Sequence, residues 1–439
     1  MPIIISPPPA PAPVPLPPPP PEPPLPDAET FAIAMPGAAS AATPTRAPNT
    51  ERLRADNDAG YRPASLDNVS GDAKPSNAPV RIGLILPLQS ETLGAAADAL
   101  RAGFMAGWER DRDNITVTVI ETGDVSQDIL SRYAQALERD DIIVGPLARS
   151  AVTTVATSAL VSKPTIALNY PEGHGTPQAI ALPQQMLAMG LSIEEEARQV
   201  AQWAAAEHPG ASALILTTNT PWQRRIAGAF AAHWQQLGQP VRMIELNAPN
   251  SYLSDPDLVQ LRARLQQDPP GLLFSAMGAD QTRQLRGALS DGLVHESSEP
   301  IISTAEGLPH APPSTSSYSA LPLYGTSALN AGEGVNSPTN ELDGVRLLDL
   351  PWQVQRDHPA VMVYPHPVQA GTADMQRLYA LGIDAFRVAR EISRHPAGRF
   401  HIDGVTGRLT IDFGQGPARF ERVEQPAVFK NGTPLPLAN

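Results

Sequence analysis

Short apolar runs alternate with longer helix-forming stretches along most of this chain, and no other feature limits its fold as strongly. Four such runs are RIGLILPL (81–88), TVTVIE (116–121), IIV (142–144) and TIALN (165–169). Each has the length and apolar content of a buried strand, and each of the first three precedes ten or more residues that favour a helix. Because parallel strands need crossover connections, this alternation predicts an α/β fold with a parallel sheet.

A second series of the same kind begins after Leu182. It predicts strands at 213–217, 241–246 and 271–275, with helices at 193–207, 221–237, 256–267 and 280–289. Two series in tandem predict two lobes, each a doubly wound and mainly parallel sheet. The last third is less periodic and predicts strands at 301–304, 323–326 and 345–349, a helix at 375–393, and a hairpin at 408–412 and 418–422.

The N-terminal segment has a different composition, since fifteen of the first 26 residues are Pro. Such a segment has few backbone donors and no apolar period, so it cannot bury a core. We expect residues 1–79 to form a disordered Pro/Ala-rich tether, with residues 1–26 in polyproline II conformation over about 80 Å. A docking site for a Pro-binding module is the alternative for this segment.

The expected division of the chain follows from these patterns. After the tether, residues 80–185 form the first part of lobe 1 and residues 186–295 the first part of lobe 2. Residues 296–403 are expected mainly to complete lobe 1, with hinge crossings. Residues 404–439 are expected to complete lobe 2 and to form a C-terminal tail.

Charge and cysteine content exclude several classes of protein. The formal net charge is −13, and the acidity is spread without a basic stripe, so nucleic acid is not an expected partner. The absence of Cys excludes disulfides, thiolate metal sites and a cysteine nucleophile. No run approaches the ~20 apolar residues of a transmembrane span, and no signal peptide is recognisable.

Several sequence pieces, in order from Val80 to Gly432, resemble a known family. RIGLILPL, IIVGPL and TIALN are similar to the type 1 periplasmic-binding-protein fold, and LDGVRLLDLPW (342–352) with RLYALGIDAFR (377–387) is more specific. Together they resemble the LppC/LpoA family of penicillin-binding protein activators. Better-known members carry a helical-repeat domain where this chain has its Pro-rich segment, and they are lipidated on an N-terminal Cys that this sequence lacks.

The resemblance implies a non-enzymatic periplasmic regulator that activates a class A (bifunctional) penicillin-binding protein in peptidoglycan synthesis by direct contact. It implies no cofactor, and it leaves contact with peptidoglycan and a small-molecule ligand open. The alternative is a solute-binding protein for an amino acid, a small peptide or a wall fragment. If a lipobox Cys lies upstream of Met1, as we expect, the protein is tethered to the outer membrane.

In this fold, ligands bind between the lobes, against strand ends and helix N-termini. Ser150 is read either as a helix N-cap or as a group that holds a ligand carboxylate, and Trp222 either as a cleft wall or as packing. The complete candidate cleft set is Gln89, Ser90, Asp124, Gly145, Pro146, Leu147, Ser150, Asn169, Tyr170, Thr218, Asn219, Trp222 and Ser275.

Catalysis has little support in the sequence. HExxH, GxSxG, P-loop and GxGxxG motifs are absent, and the nine His residues are scattered. His401 and Asp403 fall on one face of an extended segment, where a simple hydrogen bond is the expected role. Asp343 and Asp384 belong to the family-like motifs and are expected to serve the fold. No catalytic, cofactor-binding or metal-binding residue is therefore predicted.

Overall fold

The computed structural model describes residues 78–123, 126–176, 178–290, 321–332, 340–367 and 371–438. Three predictions lie outside the described residues: the tether as far as residue 77, the strand at 301–304, and the candidate side chain of Asp124. Residues Lys74–Asn439 form one compact unit. Within the described part of this unit, no helix combines the length and apolar character needed to cross a bilayer.

The first sheet contains the four strands predicted from the start of the alternation and one more. Its order is β2-β1-β3-β4-β5, and all neighbouring strands are parallel. The strands are β1 Val80–Leu86, β2 Ile115–Glu121, β3 Ile142–Val144, β4 Thr165–Ala167 and β5 Met186–Ala188, and the helices between them are α1 Gly94–Arg110, α2 Ser126–Arg139 and α3 Arg149–Thr157.

The second sheet has seven strands in the order β15-β14-β10-β9-β8-β6-β7. The strands are β6 Ala213–Thr218, β7 Val241–Leu246, β8 Leu272–Ser275, β9 Leu323–Gly325, β10 Arg346–Asp349, β14 Gln425–Lys430 and β15 Thr433–Pro436. The five neighbouring strands β10, β9, β8, β6 and β7 are parallel to one another. By contrast, β14 pairs antiparallel with both β10 and β15. The helices α4 Ile193–Glu207, α5 Pro221–Gln236, α6 Asp255–Gln267 and α7 Ala279–Ser290 accompany this sheet.

A third, three-stranded antiparallel sheet lies in the C-terminal part of the chain. It consists of β11 Gly398–Asp403, β12 Arg408–Phe413 and β13 Arg419–Val423. Its apolar residues join the core of the first sheet, together with those of the long helix α10 Ala373–Arg394. The first lobe therefore comprises β1–β5, α1–α3, α10 and β11–β13, and the remaining sheet and its helices form the second lobe.

Three predicted boundaries need correction. β5, at 186–188, belongs to the first sheet and not to lobe 2. Among the described residues of 296–403, α10 and β11 belong to the first lobe, whereas β9 and β10 insert into the second sheet. Within 404–439, β12 and β13 extend the first lobe, and only β14 and β15 complete the second. Local patterns predict strands, but the sheet that each short strand joins depends on distant pairing partners.

Apolar alternation places a core on each side of the first sheet. In β1, Ile82, Leu84 and Leu86 pack with α1 and α10, whereas Ile85 packs with Tyr133 of α2 on the other face. The second sheet is likewise covered on both faces by apolar clusters. Burial on both sides is what parallel crossover topology requires. The predicted α/β architecture of two lobes, each a doubly wound mainly parallel sheet, is confirmed.

Candidate functional site at the junction of the two lobes

Within the described residues, the chain passes between the lobes at three places. The first crossing, residues 189–192, connects β5 to α4. The second leads from β10 through two short helices, α8 Pro351–Val354 and α9 Pro359–Met362, to α10. The third is the single residue Glu424, which links β13 to β14. Buried polar groups lie at and beside these crossings, and we describe them together as the junction network: the carbonyl of Gly190 and the side chains of Glu196, Ser327, Asn330, Asp349, Arg377, Asp384, Thr406, Arg422 and Glu424.

A buried ion pair joins α10 of the first lobe to β10 of the second. Arg377 Nη2 donates to Asp349 Oδ2 at 2.8 Å, and its Nε donates to Oδ1 at 3.1 Å. The exposed fraction is 8% for Arg377 and 0% for Asp349. Asn330 Nδ2 also donates to Asp349 at 2.8 Å, and the carbonyls of Asn330 and Ser327 accept from Arg377 at 3.0 Å. The ion pair is thus bidentate, and each of its two side chains makes further hydrogen bonds. A buried ion pair requires such geometry to be stable.

A second chain of hydrogen bonds runs from α10 to the first crossing. Asp384 accepts from the backbone N–H of Thr406 at 2.8 Å and from its hydroxyl at 2.7 Å. Arg422 on β13 donates from Nε to Thr406 Oγ1 at 3.1 Å and from Nη1 to the carbonyl of Gly190 at 2.7 Å. Asp384 therefore serves the fold, as the sequence indicates. Asp343 does too, since its carboxylate accepts from two backbone N–H groups of the β14–β15 turn.

Two buried carboxyl groups complete the junction network. Glu196 on α4 accepts from the hydroxyl of Ser327 at 2.9 Å and from its backbone N–H. Burial, reinforced by repulsion from Glu424, raises the pKa of Glu196 well above its usual range. Burial also raises the pKa of Glu424 to about 7, although the Arg422 charge opposes the shift. Removal from water thus favours the neutral forms of both carboxyl groups.

Two atoms of the junction network have no hydrogen-bond partner in the described part of the chain. They are Nη2 of Arg422 and Oε2 of Glu424, and both are buried. No group of His, Asp and Glu side chains among the described residues is arranged to hold a metal ion. The ion pair between Arg377 and Asp349 can therefore fix the relative position of the lobes.

Several of the predicted cleft residues on the first lobe make contacts that hold the ends of its strands together. Gly145 has φ of +113°, and a Cβ there would lie 2.2 Å from the carbonyl oxygen of Ile85, so glycine is required. The following Gly145–Pro146 peptide bond is cis. Asn169 Nδ2 donates to the carbonyl of Leu147 at 3.1 Å, which ties two neighbouring strand ends together.

Three further first-lobe candidates have local roles. Ser150 is not the N-cap of α3, because the helix begins at Arg149 and its N-cap is Ala148. The Ser150 side chain is exposed. Ser90 is buried, and its hydroxyl accepts from the N–H of Leu93 at 2.9 Å, just before α1. The exposed amide of Gln89 donates to Glu121 at 3.3 Å.

The second-lobe candidates are also engaged within their own lobe. The hydroxyl of Thr218 donates to Gln223 at 2.7 Å, and that of Ser275 lies 2.8 Å from the hydroxyl of Thr282. Trp222 is partly buried against the apolar cluster of α4 and α5, which favours the packing interpretation. Asn219 is exposed. The hydrogen bonds of these candidates do not link the two lobes, and a ligand-binding role for the set stays a prediction.

Apart from Asp384, sequence reasoning did not single out the charged members of the junction network. Asp349 ends an apolar strand and Arg377 lies on the buried face of an amphipathic helix, and charges at such positions were the available signal. Both belong to the two most specific family-like motifs. Glu424 lies in a polar stretch, RFERVEQ, and gives no local indication of burial.

Comparison with known proteins supports a specific family. The family model described as "LppC putative lipoprotein" matches residues 57–432. The penicillin-binding protein activator LpoA of Aliivibrio fischeri (strain ATCC 700601 / ES114) is 25% identical over 350 residues, which are 76% of this chain and 54% of the relative. The activator LpoA of Yersinia pseudotuberculosis serotype O:1b (strain IP 31758) is 27% identical over 319 residues, 68% of this chain and 46% of the relative. The chain spans about half the length of these curated relatives.

Solved structures share the fold. A putative branched-chain amino acid ABC transporter from Chromobacterium violaceum ATCC 12472 is 30% identical with a TM-score of 0.61, covering 80% of this chain and 100% of that one. The C-domain of LpoA from Haemophilus influenzae, described as a regulator of PBP1A, is 21% identical with a TM-score of 0.59, covering 82% and 100%. Both likenesses confirm the two-lobed binding-protein fold.

Proposed function

On the premise that this chain belongs to the LppC family of putative lipoproteins, we propose that it is a non-enzymatic regulator that activates a class A penicillin-binding protein by direct contact. The observation that carries the proposal is the sequence match to curated activators of penicillin-binding proteins across 76% of the chain. The periplasm, with a lipid anchor to the outer membrane, is the proposed location, because the synthase domains that it would contact act there.

The junction network suits such a role. Its ion pair and hydrogen bonds join α10, β10 and β13 across the crossings, so opening of the lobes would expose buried charges. A carrier that opens and closes around a solute must break few contacts in each cycle. A contact module benefits instead from a fixed surface, because less ordering is needed when the partner binds.

A reconstituted assay tests this proposal. The purified chain is mixed with a class A penicillin-binding protein from the same organism, and complex formation, glycan polymerisation and crosslinking are measured. We expect a complex and a several-fold increase in at least one rate. A solute-binding protein of the same fold, at equal concentration, controls for nonspecific effects. The absence of both a complex and a rate change would contradict the proposal.

The second candidate function is solute binding, which the 30% identity to a branched-chain amino acid transporter component favours. Ligand bound to the native state raises stability by about 2.7 kcal/mol at 100 times Kd. Thermal unfolding with and without millimolar leucine therefore separates the two functions. A large increase in melting temperature with leucine would support a solute-binding function. An unchanged melting temperature would contradict binding of leucine.

A further inference from the structure

A polar depression lies on the outer face of the three-stranded sheet of the first lobe. On β12, Leu409, Ile411 and Phe413 point into the core, so the alternate residues Thr410 and Asp412 face outward. The loop after β4 and the edge strand β5 form the other wall of the depression. The depression has a volume of ≈ 470 Å³, which is within the range of small-molecule sites. Its lining is Tyr170, His174, Leu182, Ala188, Arg399, Thr410, Asp412, Ala418, Arg419, Phe420 and Glu421.

The charged side chains of the depression form two rows across the strands. Asp412 pairs in register with Arg399 on one side and Arg419 on the other, so the first row has a net positive charge. Glu421 pairs with Thr410 in the next row. Rows that share a face are two residues apart along each strand, a separation of about 7 Å. The depression thus carries a net charge of one positive unit in the first row, where Asp412 lies between the two arginines, and a carboxylate in the second row.

These four charged side chains are available to a ligand. Within the described residues, Arg399, Asp412, Arg419 and Glu421 have no side-chain hydrogen bond or ion pair, although most arginines of the lobe, such as Arg390, are paired. They are positioned by backbone register and not by mutual contacts. Unpaired charges of both signs over one small depression are complementary to a molecule with two opposite charges.

The walls of the depression are aromatic and apolar. The rings of Tyr170 and His174 stack with centroids 4.1 Å apart and an angle of 14° between planes. Burial lowers the pKa of His174, so its imidazole is neutral at pH 7 and extends the aromatic wall without adding charge. Leu182, Phe420 and Ala188 add apolar surface. Such walls fit short aliphatic side chains between the charged ends of a ligand.

We propose that this depression binds a dipeptide as its zwitterion, with the carboxylate at Arg399 and Arg419 and the ammonium group at Glu421. An extended chain spans at most about 3.3–3.6 Å per residue, so two residues match the row separation of about 7 Å. A single amino acid spans only about half of this row separation. Guanidinium groups bind carboxylates through charge-assisted hydrogen bonds, and this preference sets the direction in which the dipeptide binds.

This site lies entirely in the first lobe and is distinct from the junction network, and Tyr170 is shared with the predicted interlobe set. The inference goes beyond the proposed function and does not depend on it. Dipeptide binding is measured on the purified chain alone, whereas activation requires the synthase. A chain that does not bind dipeptides could therefore still activate the synthase, and the reverse also holds.

Isothermal titration of the full chain with alanyl-alanine at low ionic strength tests the inference. We expect saturable one-to-one binding, and a loss of about tenfold or more when the ligand is N-acetyl-alanyl-alanine, alanyl-alanine amide or free alanine. Arg419→Gln and Glu421→Gln should each weaken binding of the dipeptide to a similar degree. Arg408→Gln is the matched control, since Arg408 lies on β12 outside the depression, and it should bind as the wild type does.

Three results would overturn the inference. They are no saturable binding of alanyl-alanine at millimolar concentration, equal binding of the end-blocked peptides or of alanine, and wild-type affinity in both Arg419→Gln and Glu421→Gln. The blocked peptides need no variant, so that arm does not depend on the folding of a mutant. Thermal unfolding of the variants confirms that their sheet is intact.

Discussion

At the scale of single residues, the buried carboxyl groups of the junction network make stability depend on pH. Glu196 and Glu424 have pKa values raised by burial, and that of Glu424 reaches about 7. In the unfolded chain, both titrate near pH 4.5. Between pH 4.5 and 7 the native protein therefore holds more protons than the unfolded chain, and the stability from these groups is lost as pH rises.

We predict that Glu424→Gln gains stability relative to the wild type as pH rises. The amide is neutral at every pH, and its presence also removes the repulsion felt by Glu196. The difference in unfolding free energy between variant and wild type should shift by about 1–3 kcal/mol in favour of the variant between pH 5 and pH 7.5. Urea unfolding followed by circular dichroism at several pH values measures this shift.

Glu245→Gln is the control for that series. Glu245 is exposed, and its partner Arg224 lowers its pKa, so the stability from this pair changes only below about pH 4.5. Its difference from the wild type should stay constant over the range from pH 5 to pH 7.5. A Glu424→Gln profile that runs parallel to the wild-type profile would show that Glu424 titrates normally in the native protein.

The ion pair between Arg377 and Asp349 supports a second prediction at this scale. Asp349→Asn leaves the buried Arg377 charge without its main partner, and breaking a buried pair in this way costs about 3–5 kcal/mol of unfolding free energy. The matched Asp268→Asn breaks an exposed pair with Arg242 and should cost at most about 1 kcal/mol. Denaturant titration compares the two. Similar small losses would mean that solvent reaches the Arg377 pair.

At the scale of elements, two glycines set the contact between α1 and α10. A Cβ at Gly103 would lie 1.8 Å from the carbonyl oxygen of Tyr379, and one at Gly382 would lie 2.1 Å from that of Leu100. The helix backbones therefore touch at this crossing, and neither glycine has room for a side chain. Gly382 lies in the family-like motif RLYALGIDAFR, and Gly103 lies in the sequence RAGF of α1.

We predict that Gly103→Ala destabilises the protein by about 1–3 kcal/mol, because α1 and α10 must separate to admit a methyl group. Gly228→Ala is the matched control within α5. A Cβ there meets no atom within 4 Å, so the higher helix propensity of Ala should add about 0.5–1 kcal/mol. Thermal unfolding should therefore shift in opposite directions for the two variants. Stabilisation by Gly103→Ala would refute the close helix contact.

The sequence predicted the elements with strong local signals and missed those defined by distant partners. The first four strands and α10 have clear apolar patterns, and the structure contains them. β5 has only three residues, and β14 includes Pro426, which is untypical of a strand between two others. The cleft candidates were chosen from local strand ends, and their ligand-binding role stays a prediction. The junction network could not be assembled from the sequence, since its members come from widely separated segments.

At the scale of the whole molecule, the crossings seen in the described residues and the compactness of Lys74–Asn439 define the folding unit. Every apolar cluster that the structure describes lies between Val80 and Phe429. The two lobes share a further cluster at the second crossing, where Trp352 of α8 packs with Tyr379 of α10. Folding and tethering are therefore expected to be separate properties of the chain.

We predict that a chain of residues 74–439 unfolds with the same free energy as the full chain, within about 0.5 kcal/mol, because no described core residue is removed. In solution it should also bind and stimulate a class A penicillin-binding protein as the full chain does. A tether acts by raising local concentration, so its effect should emerge only when the chain is held by its N-terminus on a vesicle that faces an immobilised synthase. Loss of stability in the shorter chain would show that residues 1–73 contribute to the core, and loss of stimulation in solution would show that they contact the synthase directly.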